Sequence, residues 1–166
     1  MGILLGLPIV ILLTIFQSVV VSNIPLLHGT ADLVLLVLAA LALQERISTI
    51  YEWAVMAGIL MGLVSAVPWF IPVFGYVGTV AFARFLKRQV WQTPVLAMLL
   101  TTLSGSVVML GMQMLALQAQ EVPISIVESI DLVILPAVFL NVLLALPVYA
   151  LTVDLTRSVY PEEVEV

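Results

Sequence analysis

The sequence predicts an all-α polytopic membrane protein: a bundle of six transmembrane helices, or five if the second does not cross, with several proline kinks and a short second helix. Three observations predict it. Of 166 residues, 63% are hydrophobic and 9% charged, against roughly 45–50% apolar and about 25% charged in a soluble domain. Mean hydropathy is +1.27, so polar surface is too scarce to cover a globule in water. The apolar residues also fall into runs near the roughly 20 residues that span a bilayer, separated by short polar or proline-bearing breaks. Residues 1–155 read as one transmembrane domain and 156–166 as a short acidic cytoplasmic tail.

The first span runs from about Ile3 to Val21 and carries Pro8, Gln17 and Ser18. It lacks a basic leader and a small-residue cleavage site, so it reads as a retained span. The second, Ala31 to Leu43, is short: the eleven apolar residues from Leu33 to Leu43 rise about 16 Å, roughly half of the hydrocarbon core. It crosses only if the chain from Ile24 also enters the membrane, or if neighbouring helices bury it. The third covers Tyr51 to Val67 and ends at "VPWFIP". The fourth covers Ile71 to Phe85 and ends at "RFLKRQ". The fifth extends from Val90 to Leu117, and the sixth from Leu132 to Val153.

The five basic residues, Arg46, Arg84, Lys87, Arg88 and Arg157, all fall on one side of a six-span chain. The positive-inside rule then places the C-terminus in the cytoplasm. A five-span chain gives the same result for the C-terminus and puts the N-terminus outside. Arg84, Lys87 and Arg88 form a basic cytoplasmic turn suited to anionic lipid. The net charge of −5 gives no reason to expect nucleic acid. With no cysteine, disulfides and thiol chemistry are excluded.

The remaining chemistry is sparse. His28 and Asp32, at the start of the second helix, are four residues apart and would share a face if both were helical. Gly29 instead predicts a turn, with Thr30 or Asp32 capping the helix that follows. Ser104 and Ser106 have no histidine in another span to serve as a base. Asp32, Asp131 and Asp154 lie at helix ends, and no ionisable group is expected near mid-membrane. One histidine is poor ligand supply for zinc. The sequence therefore predicts no enzyme, no metal and no cofactor. The amides Gln17, Gln113 and Asn141 inside spans either hydrogen-bond across helices, at about 0.6–2 kcal/mol each, or line a cavity. Pro8, Pro136 and Pro147 predict kinks. Trp53, Trp69 and Trp91 sit near expected interfaces as anchors.

Small residues mark packing faces. "GILMG" places Gly58 and Gly62 one turn apart, and "GYVGTVAFA" adds Gly75 and Gly78. Such stripes let backbones approach closely in lipid. They serve contacts within the monomer, or they form a docking face for a partner helix or for a second copy in a homodimer.

Taken in order, "FQSVV", "PLLHGTADLVLLVLAALALQER", "AGILMGLVSAV", "VFGYVGTVAFARFLKRQ" and "TPVLAMLLTTL" resemble the bacterial rod shape-determining MreD family. The matching features are a polar "QS" late in the first span, an aspartate leading the second helix and a glycine-led fourth helix with "G-Y". A basic turn precedes a long fifth helix. Ala31 stands where the family usually has proline, and Ser65 and Ala66 replace an aspartate often found after the third-helix glycine motif. The resemblance implies a non-enzymatic scaffold of the cell-elongation machinery in the bacterial cytoplasmic membrane. Its partners would be an MreC-like single-pass protein and, in a larger assembly, RodA, a class B penicillin-binding protein and MreB. The rival reading is a substrate-binding subunit of an energy-coupling-factor transporter, which would need a convergent polar cavity. The sequence alone displays no such set of residues in the outer half of the bundle.

Overall fold

The computed structural model describes residues 2–44, 47–89, 93–123 and 125–159, with side chains over 6–158. Arg46, Trp91 and the tail at 160–166 lie outside the described residues. The chain is an all-α bundle. Its helices are α1 (Gly2–Val19), α2 (Leu33–Ala42), α3 (Ile50–Val64), α4 (Phe70–Gln89) and α5 (Pro94–Ala119). A final rod comprises α6 (Ile126–Ser129), a π-helical turn (Ile130–Ile134) and α7 (Leu135–Val159). Stretches within α1 and its following turn, α4, α5 and the final rod are long and apolar enough to cross a membrane, whereas α2 and α3 are shorter. The third helix ends at Val64 rather than Val67 because Ser65 turns extended ahead of Pro68. The fifth begins at Pro94, a residue suited to a first helical turn, where its missing N–H is no loss.

Close contacts fix the helix directions. A methyl group added at Gly58 would lie 2.5 Å from the Val73 Cα, and one at Gly62 would lie 2.6 Å from the Trp69 Cα. Rising positions on α3 thus meet falling positions on α4, and the two run antiparallel. Gly75 abuts Met109, while Gly105 abuts Thr79, so α5 is antiparallel to α4 as well. Asp32, at the start of α2, bonds Tyr76 early in α4, and Ile47, just beyond α2, accepts from Arg84 late in α4. The pair therefore runs parallel. By the same logic α7 follows α2, with Asn141 at its start and Thr152 and Thr156 lining one groove with Leu41 and Ile47. The helices thus alternate in direction along the chain. The described basic residues Arg84, Lys87, Arg88 and Arg157 all come late in α4 or α7, at one end of the bundle.

The ten-residue helix α2 is the hub. Every residue of α2 is apolar, and Val34, Leu35, Leu36, Leu38, Ala39, Ala40, Leu41 and Ala42 are all buried. A helix that is apolar all round belongs inside a bundle, and α2 touches α1, α3, α4, α5 and α7. Around it the outer helices present apolar side chains outward, such as Leu12, Leu63, Phe74, Val108 and Leu143. Exposure of that kind is stable only against lipid. Trp53, expected as an interface anchor, is instead buried and packs against Gly6 of α1. Trp69 is exposed.

Candidate functional site

The N-terminus of α2 lies within the bundle, and its first N–H groups have no partner inside the helix. Side chains from other helices meet them. Late in α1, the Gln17 amide grips the approach to α2 from both sides. Its Nε2 donates to the Ala31 carbonyl at 2.7 Å, and its Oε1 accepts from the Leu33 N–H at 2.8 Å. Asp32 is the N-cap, its Oδ1 accepting from the Leu35 N–H at 2.9 Å. The Asp32 N–H donates to Asn141 Oδ1 of α7 at 2.7 Å, and Asn141 Nδ2 donates to Ser106 Oγ of α5 at 2.8 Å. The Tyr76 hydroxyl of α4 donates to both carboxylate oxygens of Asp32, at 3.2 and 3.1 Å. Every recorded partner of this carboxylate is neutral.

A turn outside the bundle aims Asp32. Leu26 and Gly29 exchange backbone hydrogen bonds of 2.8 and 2.9 Å, with Leu27 at φ 56° between them. The His28 N–H then donates to the Leu132 carbonyl at 3.0 Å. That carbonyl is free because of Pro136. Proline four residues on has no N–H to offer, and its ring crowds the oxygen. The backbone accommodates this as the π-helical turn, in which the Leu135 N–H bonds Ile130. Gly29 seats tightly here, since an added methyl would come within 2.5 Å of both Val133 O and Ala137 N.

These groups wall a polar cavity of about 140 Å³, lined among others by Gln17, Asp32, Tyr76, Ser106, Gln113 and Asn141. Two expectations are corrected by it. An ionisable side chain does lie inside the bundle, because α2 is too short to carry its N-terminus to the surface. A convergent polar set does exist, and the three amides singled out in the sequence all line it. His28 and Asp32 do not act as a pair: the His28 side chain is exposed on the turn and only its backbone bonds inward. Tyr76 and Ser106 were not singled out for this role. One looked like a motif residue in an apolar helix, and the other was weighed only as a nucleophile.

The glycines divide between the two alternatives. Gly58 is covered by Val73 of α4, Gly62 by Trp69 just before it and Gly75 by Met109, so these three are filled within the monomer. Gly78 is exposed with nothing opposite it. At the basic end, Arg84 donates to the Ile47 carbonyl, tying α4 to the segment between α2 and α3, while Arg88 is exposed. Among the described residues no group of three or more His, Asp or Glu side chains is placed to hold a metal ion. Comparison with protein-family models, with curated proteins and with solved structures returns no match to the chain.

Proposed function

We propose that the chain is an MreD-like scaffold of the bacterial cell-elongation machinery, without catalytic activity of its own. It sits in the cytoplasmic membrane with its C-terminus and basic end inside, and its polar cavity opens toward the wall-synthesis side. It engages an MreC-like single-pass protein within an assembly that includes RodA, a class B penicillin-binding protein and MreB. One observation supports this reading most. Three stretches that carry the resemblance, "FQSVV", "PLLHGTADLVLL" and "VFGYVG", are far apart in sequence. They supply Gln17, Asp32 and Tyr76 to one hydrogen-bonded site. Short apolar motifs matching by chance have no reason to converge. Of the four glycines, Gly78 is the one left open to a partner helix.

The cavity also favours a second reading, in which the chain binds substrate for an energy-coupling-factor transporter. Its size weighs against that: about 140 Å³ is well below the roughly 300–1,000 Å³ usual for small-molecule pockets. Depletion of the protein in its own host decides between them. The scaffold reading expects cells that widen and lose their shape while vitamin uptake is unchanged. Normal shape with lost uptake would overturn it.

A further inference from the structure

The Asp32 carboxyl lies inside an apolar bundle, and no opposite charge stands among its described neighbours. From α1 it faces the Gln17 amide, from α4 the Tyr76 hydroxyl, from α5 Ser106 and from α7 Asn141, while Ser65 lines the α3 side. All of these are neutral. The start of α2 turns the positive end of its dipole toward the carboxyl, which offsets a negative charge there only in part. The described basic residues lie at the far end of the bundle. Tyr76 and Arg84 are eight residues apart on α4, about 12 Å along the axis. Charged groups inside membrane proteins are costly, and most find an opposite charge or face a hydrated cavity.

Beside this carboxylate lies open space. The cavity measures about 140 Å³, on a scale where one water needs about 10–15 Å³. That accommodates an ion with part of its hydration shell, or the head of an alkylammonium group. The walls offer neutral oxygen donors, including Gln113, which bonds nothing in the network that holds α2. With one carboxylate and no cluster of acids, the site does not suit a divalent metal, which draws on several anionic oxygens.

We propose that this cavity binds a monovalent cation, an alkali ion or a primary ammonium group, against the Asp32 carboxylate. The proposal stands whichever partner the bundle has. Asp32→Asn separates charge from structure, because asparagine still caps a helix and still accepts from Tyr76. The purified protein is melted in detergent in about 100 mM sodium, potassium or n-butylammonium chloride, each against choline chloride at equal ionic strength. Wild type should gain at least about 3 °C in one of the three salts, and Asp32→Asn should lose that gain while melting normally in choline. A gain in sodium or potassium identifies a free ion. A gain confined to n-butylammonium identifies an amine, such as a lysine side chain or an amino lipid. No gain in any salt, or an equal gain in Asp32→Asn, overturns the proposal. Should Asp32→Asn fail to fold, Gln113→Leu removes one oxygen from the cavity wall without touching the cap, and the same gain should fall.

Discussion

Asp32 holds α2 by its shape and burdens the bundle by its charge, and substitutions separate the two. Alanine removes the cap, worth about 1 kcal/mol, and strands the Tyr76 hydroxyl, at about 1–3 kcal/mol. Thermal melts should therefore rank Asp32→Ala clearly below Asp32→Asn, and equal melting points would contradict the capping role. Tyr76→Phe takes a donor from a buried carboxyl and should cost about 1.5–3 kcal/mol. At this scale the sequence was partly legible. Gln17, Gln113 and Asn141 stood out because amides are rare in apolar runs. Tyr76 did not, since its ring suits lipid or core equally well and only its hydroxyl joins the site. Ser106 was hidden for the same reason: a lone serine in a membrane helix commonly bonds its own backbone.

Among the elements, α2 and the turn before it decide where the site lies. The turn is latched to the final rod through Gly29 and the carbonyl freed by Pro136. Gly29→Ala would push a methyl into the backbone at Val133 and Ala137, an overpacking that costs about 1–3 kcal/mol. It should lower the melting temperature without altering helix content by circular dichroism; an unchanged melting temperature would mean that the latch is loose. The α3–α4 hairpin gives a second test. Gly58→Leu or Gly62→Leu should abolish the monodisperse peak in size-exclusion chromatography, because α4 fills those faces, whereas Gly78→Leu should leave it intact. If all three variants elute normally, the glycines do not set the hairpin. Helix number and order were readable from the apolar runs, and boundaries shifted by a few residues at Val64 and Pro94. The depth of Asp32 was not readable. A helix end ordinarily marks a membrane face, and that rule fails for a ten-residue helix enclosed by longer ones.

For the whole molecule, the alternating helices gather the cavity's polar side chains toward one end and the described basic residues at the other. A bundle so arranged would present an acidic, cation-accepting cavity toward one side and a positive surface on the other. The scaffold reading draws on the resemblance and on the convergence of its motifs, and partner identity tests it most directly. The measurement is crosslinked affinity capture of the tagged protein from native membranes, with the captured proteins identified by mass spectrometry. An MreC-like single-pass protein should be recovered with the wild type and depleted with Gly78→Leu. Recovery of a pair of ATPases with a transmembrane coupling subunit, and no MreC-like protein, would contradict the scaffold reading.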